Sequence, residues 1–379
     1  MNSGNDTQLQ NLKIALVHDW LTGMRGGEKI LEVLCELFPD ATIFTLLHNE
    51  GAMSPTIERM KIKTSFIQHL PMKATKYRNY LPLMPLAIGS LDLSGYDLII
   101  STSSAVAKGA IPGKNSVHIC CCFSPMRYLW DQYKEYFGRD RAGILTRILM
   151  TSVAPYLRRW DVRSCKRVHY FISISKNVQE RIARIYHRDS DIIYPPVNTQ
   201  MFRVSKKNDG YYLIVSALVS YKRVDLAIRA FNQNGEKLLI AGSGPDRTKL
   251  ENIANKNIEF LGWQSDENLA ALYAGCRALI FPGVEDFGIV PLEAMASGKA
   301  VVAFGEGGAL ETVVTDGSSP TGIFFHESTV EALNTAIASL SKKNLDPYAI
   351  RLHAEKFDRA IFKRHIAEYI TRRFMEKMK

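Results

Sequence analysis

Twice along this chain short apolar runs alternate with amphipathic segments, and no other feature narrows the fold so far. In the first half the runs are KIALVHDW (Lys13–Trp20), ATIFTLL, YDLIISTS, SVHICCCF, VHYFIS and DIIYPPV. In the second they are YYLIVSAL, KLLIAGSG, IEFLGW, RALIFPG, KAVVAFG and TGIFF. Segments with helical spacing, such as EKILEVLCELF, lie between them. A strand buried on both faces is apolar throughout, and strands alternating with helices build a parallel sheet covered on both sides. The alternation stops at Tyr194–Gly210, YPPVNTQMFRVSKKNDG, which is Pro-rich and then polar, as a linker is. A chain of 379 residues also exceeds what one core usually serves. The expectation is two α/β domains, residues 1–199 and 200–358, followed by a basic amphipathic segment, 359–379.

No apolar run reaches the length of a membrane span, and LPLMPLAIG (Leu81–Gly89) is short and interrupted by prolines. The start, MNSGNDTQLQNLK, lacks the basic-then-apolar order of a signal peptide, so a cytoplasmic protein is expected. None of the six cysteines forms a C-x-x-C pair, and Cys120, Cys121 and Cys122 sit in the apolar run VHICCCF as small hydrophobes would. Charge is uneven. Residues 1–200 hold 25 Lys and Arg against 17 Asp and Glu, whereas the remainder holds 23 against 21. An anionic partner for the first half is implied: nucleic acid, a membrane surface or a phosphorylated substrate.

Ligands of open α/β sheets lie beyond the carboxyl ends of the strands, so residues that follow strands matter most. TGMRGGEK places Gly26–Gly27 between a strand and a helix, where backbone N–H groups can approach an anion; a plain tight turn explains it equally. Lys222 and Arg223 fall at a strand-to-helix turn, against the helix dipole, which either a bound diphosphate or a solvated loop would tolerate. AGSGPDRTKL lacks the lysine and serine of a Walker A loop and reads as a structural turn. DSD (Asp189–Asp191) mimics a metal-binding D-x-D but precedes a strand, and no histidine cluster suits a metal. The most informative stretch is LIFPGVEDFGIVPLEAMASG. Glu285 falls in the loop after a strand, and Glu293 falls near the start of a helix that Pro291 helps begin. Two such carboxylates can each accept hydrogen bonds from hydroxyls of one ligand. AFGEGGALETV repeats the arrangement one strand later, with Gly307–Gly308 before Glu311.

Together these residues resemble glycosyltransferase family 4, retaining enzymes of the GT-B fold. The likeness rests on EDFGIVPLEAMASG, YKRVDLAIRAF, LLIAGSGPDRTKLE, GGALETV, VHDWLTGMRGGEK and SPMRYLWD. It implies two Rossmann-like doubly wound parallel-sheet domains facing across a cleft, with the C-terminal helix packing back on the N-terminal domain. The wording is similar to that of bacterial mannosyltransferases of O-antigen and polysaccharide assembly, which commonly use GDP-sugars. By resemblance, Glu293 holds the donor ribose, Glu285 contacts the transferred sugar and Lys222 neutralises the diphosphate. Asp286, Phe287, Gly288, Ile289 and Val290 line the donor, with Arg223 and the Gly26–Gly27 loop beside its phosphates. Phe123 and Arg127 fall on the sugar and acceptor side. Neither a metal nor a cofactor is implied. The acceptor is a glycan or a lipid-diphosphate-linked glycan, with peripheral contact to an anionic inner membrane and no nucleic acid.

The chain departs from the family at two places. Ala217 replaces an arginine common five residues before the lysine, and Phe123 replaces the histidine of CHSP that typically meets the sugar 6-hydroxyl. A phenyl ring would leave that hydroxyl unpaired, at about 1–3 kcal/mol. A 6-deoxy donor of the GDP-D-rhamnose or GDP-perosamine type would fit it, beside the more frequent GDP-mannose. The rival readings are another GT-B enzyme such as a nucleotide-sugar epimerase, or a non-catalytic nucleotide- or nucleic-acid-binding protein. A dehydrogenase would need the G-x-G-x-x-G that is missing. The first-half segments KATKYRNYLPLMPLAI and RRWDVRSCKR interleave cations with apolar side chains, as a membrane-surface patch or a solvated helix face would.

Overall fold

A computed structural model describes residues 12–138 and 143–378. Most of the polar start thus lies outside the described residues. The chain divides into two units, 1–196 with 362–379, and 197–361.

The first unit is a seven-stranded parallel sheet of β1 (Ile14–His18), β2 (Thr42–Thr45), β3 (Lys61–Thr64), β4 (Leu98–Ser103), β5 (Val117–Cys122), β6 (Tyr170–Ser173) and β7 (Asp191–Ile192). Its order is β3-β2-β1-β4-β5-β6-β7. The central strands are buried along their whole length, which is why they are apolar without alternation. Apolar runs point to every strand but β3, whose KIKT alternates between exposed and half-buried positions on the sheet edge. Only one neighbour and one face hold it, so its pattern is too weak to read from sequence.

The second unit is a six-stranded parallel sheet of β8 (Tyr211–Val215), β9 (Lys237–Ala241), β10 (Ile258–Gly262), β11 (Leu279–Phe281), β12 (Val301–Phe304) and β13 (Gly322–Phe325), in the order β10-β9-β8-β11-β12-β13. Both sheets are doubly wound. Winding direction reverses between β1 and β4 in the first and between β8 and β11 in the second, the switch points at which ligands of such sheets bind.

Residues 362–378, most of the helix Arg359–Met378, pack with the first unit. Asp191 anchors them by accepting from Arg373 (2.7 Å) and Tyr369 (2.8 Å). Desolvation raises the Asp191 pKa, but those two donors outweigh it and hold the carboxyl below its usual range. The D-x-D look-alike is therefore engaged in tying down a helix. All six cysteines are free and buried, and burial pushes the Cys35 and Cys276 thiols up to about 12, too high for nucleophilic work.

Candidate active site

Two loops meet at the switch point of the second sheet. The first leaves β8 and carries Lys222; the second leaves β11 and carries Glu285. The Lys222 ammonium and the Glu285 carboxylate form an ion pair whose side chains are 15% and 21% exposed, so both remain reachable from solvent. The loops can approach only because residue 283 has no side chain: a Cβ there would stand 2.7 Å from the Lys222 Cα and 2.8 Å from two backbone oxygens. Gly308 closes the third side, its N–H donating to the Glu285 carbonyl (2.8 Å). Three loops from neighbouring strands thus hold one charge pair.

The helix Ile289–Ala296 begins at Gly288, whose φ of +95° side chains rarely adopt. Ile289 and Val290 start the helix half-buried, while Asp286 and Phe287 are buried beneath the loop. Glu293 lies one turn in and is buried; Tyr273 donates to its Oε2 at 3.0 Å. Burial, then the negative charge of Glu293, pushes the Tyr273 phenol well above its ordinary pKa, so it stays a donor. Arg223 takes φ +52° and turns its guanidinium to Asp225 (3.2 Å) and Ser328 (2.5 Å).

The switch point of the first sheet is built from other chemistry. Asp19, just past β1, is buried, and its carboxylate accepts from the backbone N–H groups of Ser104, Ala105, Val106 and Ala107 at 2.7–2.9 Å. His18 bonds Thr102 through Nδ1 (2.7 Å), and its Nε2 lies 3.5 Å from Glu28. Glu28 also accepts from the Arg25 N–H (3.1 Å) at the start of the helix Gly26–Leu37. Phe123 follows β5 and packs on Gly27; Gly26 and Gly27 are the first residues of that helix rather than a loop before it, and a Cβ on Gly27 would fall 2.6 Å from the Phe123 ring. The His18 and Phe123 ring centroids are 6.5 Å apart. Arg127 is half-buried in the turn that follows.

The structure therefore brings Lys222, Glu285, Gly288 and Glu293 together in one unit, and Gly26, Gly27 and Phe123 together in the other. Sequence reasoning did not single out Tyr273, Gly283, His18, Asp19 or Glu28. A histidine ending a buried strand and an acid directly after it were the available signal for His18 and Asp19; Tyr273 and Gly283 gave none. Among the described residues no group of three or more His, Cys, Asp or Glu is placed to hold a metal ion.

Residues 198–359, nearly the whole second unit, match the family model described as Glycosyl transferases group 1. An uncharacterized glycosyltransferase of Methanocaldococcus jannaschii is 28% identical over 229 residues, 53% of this chain and 56% of that protein. The O-antigen chain mannosyltransferase RfbU of Salmonella typhimurium is 28% identical over 159 residues, 39% of this chain and 44% of that protein. The chain spans about half the length of these curated relatives. Among solved structures, HepE of Anabaena in complex with UDP and glucose superposes with a TM-score of 0.69 at 17% identity, covering 95% of this chain and all of that one. WaaG, a glycosyltransferase involved in lipopolysaccharide biosynthesis, does so at 0.63 and 15%, covering 94% and 99%. With two doubly wound parallel sheets and these neighbours, the fold is that of the GT-B glycosyltransferases.

Proposed function

We propose that the chain is a retaining, metal-independent glycosyltransferase that moves a hexose from a nucleotide-sugar to a glycan acceptor. The observation that carries this reading is the pairing of Lys222 with Glu285 at the switch point of the second sheet, with Glu293 one helical turn away. A diphosphate is the stronger anion and takes Lys222 from Glu285. The freed carboxylate then accepts from sugar hydroxyls, while Glu293, oriented by Tyr273, accepts from the ribose. As the bond from anomeric carbon to phosphate oxygen breaks, the electron pair passes to the diphosphate, where Lys222 and the N–H groups at the helix start stabilise it. The leaving phosphate oxygen takes the acceptor hydroxyl's proton as that oxygen bonds the same face of the sugar. No nucleophilic carboxylate is required.

The mannosyltransferase names of the relatives favour a GDP-hexose, and the proposed pathway is O-antigen or exopolysaccharide assembly on a lipid-linked acceptor. The UDP complex of HepE makes UDP the competing nucleotide. By the resemblance Phe123 stands where a histidine would meet the sugar 6-hydroxyl, so a 6-deoxy donor such as GDP-D-rhamnose is the second candidate beside GDP-mannose. Calorimetric titration with GDP, UDP, GDP-mannose and GDP-D-rhamnose, without added metal, tests the reading. GDP-sugar binding that disappears in Glu293→Ala is the expected result. UDP binding alone overturns the donor, and no nucleotide binding overturns the activity. Phe123→His should shift preference toward GDP-mannose; an unchanged ratio would sink the deoxy-sugar proposal.

A further inference from the structure

The helix Ile289–Ala296 is buried from Pro291 to its end, and Glu293 is its only charged side chain. The last carbonyls of such a helix must be answered from outside it. Those of Ala294 and Met295 accept from the N–H groups of Ser297, Gly298 and Lys299 at 2.8–3.0 Å. The Ala296 carbonyl accepts from Arg351, at 2.7 Å. The same guanidinium nitrogen, Nη1, lies 2.9 Å from the Thr199 carbonyl and 2.8 Å from the Phe202 carbonyl, in the turn Thr199–Met201 and the residue that caps it. Thr199, Phe202 and Ala296 are all buried, and the Arg351 side chain is 13% exposed. Arg351 stands on the helix Pro347–Glu355, and its Nε donates to Glu355 (2.7 Å). Two neighbours on that segment support the same site. His353 Nε2 donates to the Thr312 carbonyl (2.9 Å), at the end of the helix that follows Gly307–Gly308. Phe357 packs on Phe287, with ring centroids 5.8 Å apart.

We propose that Arg351 is a positioning residue for the nucleotide-sugar site: its guanidinium fixes the C-terminal end of the helix that carries Glu293, and through that helix the carboxylate. Ala296 lies three residues beyond Glu293, less than one helical turn, so a shift at this end moves the acid. A cation at a helix C-terminus gains from the last carbonyls and from the helix dipole. One that also binds two carbonyls of another segment turns a cap into a tether. Losing it takes a donor from three carbonyls of buried residues at once, which nothing apolar can replace. The role in binding rests on Glu293 being a ligand of the nucleotide-sugar, as proposed above; the tether itself does not.

Amide hydrogen exchange of the full chain, read by mass spectrometry without ligand, tests the tether. Calorimetric titration with GDP-mannose or, where wild type prefers it, UDP-glucose tests the role in binding. In Arg351→Met, exchange across 285–296 should quicken by about tenfold or more and affinity should fall by about tenfold, as loss of a donor to buried carbonyls implies. The strand Tyr211–Val215 should exchange as in wild type. Arg351→Lys keeps a cation with several N–H donors and should restore most of both losses. Should Arg351→Met not fold, Arg351→Gln, which keeps an amide donor without the charge, carries the same comparison. Asp346→Ala is the control: it removes the carboxylate that accepts from the Tyr348 N–H (3.0 Å) at the start of Pro347–Glu355 and leaves the partners of the guanidinium in place. There exchange should quicken in 347–355 and not in 285–296. The same exchange pattern in Arg351→Met as in Asp346→Ala overturns the proposal, since Arg351 would then support only its own helix. Faster exchange across 285–296 with unchanged affinity also overturns it. A wild type that binds neither nucleotide-sugar overturns the donor reading instead, and exchange alone then decides the tether.

Discussion

The switch point of the first sheet satisfies its acid with backbone; that of the second satisfies its acid with a side chain from another loop. Asp19 accepts four backbone N–H groups and is 2% exposed. Nothing can recruit that carboxylate without orphaning four backbone donors, three of them on buried residues, so its work is to fix the loop after β4 onto the end of β1. Glu285 is held by Lys222, and both reach solvent. An ion pair between two loops can exchange partners with an incoming anion and polyol, whereas a backbone-filled carboxylate cannot. The first sheet accordingly offers a rigid apolar and imidazole surface, the second an exchangeable pair of charges.

The largest effects should come from cutting each acid's support. Lys222→Ala should reduce transfer by about 10²–10³-fold, as loss of a preorganised charge stabiliser does, while leaving the melting temperature within a degree or two by calorimetry. Asp19→Ala should do the reverse, lowering stability by about 3 kcal/mol or more as buried N–H groups lose their acceptor. In that variant the proposed nucleotide-sugar binding by correctly folded protein should persist. If both substitutions damaged stability alike, the contrast between the two sites would collapse.

A smaller effect is expected where Phe123 packs on Gly27. Gly27→Ala would drive a methyl into the ring, at about 1–3 kcal/mol by denaturant unfolding. Phe123→Ala in the same chain should relieve most of it. An additive double variant would mean the two residues do not touch.

The smallest effect is with pH. His118, on β5, bonds the Ser101 hydroxyl (2.8 Å), and burial pushes its pKa down to about 3 from 6.5. Between those values the unfolded chain binds a proton that the folded one refuses. Stability therefore falls as pH drops below 6.5, by up to about 1.4 kcal/mol per pH unit. His353 in the second unit is lowered the same way, chiefly by burial. Three of the four tryptophans, Trp20, Trp130 and Trp160, lie in the first unit, so fluorescence-monitored urea unfolding at about pH 7.5 and about pH 5.5 reads that unit's His118 together with His169, which burial also lowers. His118→Gln should flatten that dependence; an unflattened curve would assign it to other groups.

Burial is what made the central strands readable. β1, β4, β5 and β12 are covered on both faces, so they had to be apolar runs. β3 has an open edge, and KIKT carries no comparable signal. Glu285 stood out because an acid in a loop after a buried strand needs a partner, and Glu293 because it falls near the start of the helix that follows. That partner, Lys222, lies 63 residues away along the chain and was legible only as a cation at an unfavourable helix start. Tyr273 was hidden inside a short helix whose apolar residues mark no single face.

By itself the sequence determined the two parallel sheets and the position of Glu285 after a strand, because these follow from the period of burial and from backbone sterics within a few residues. Only the tertiary structure decided which of those groups meet. Strand order set Lys222 against Glu285, Phe123 against Gly27 and Asp191 against Arg373, over separations at which no local pattern carries information. Short-range preferences shape elements, but a charge pair forms where the sheet's winding brings two loops together and a missing side chain lets them close.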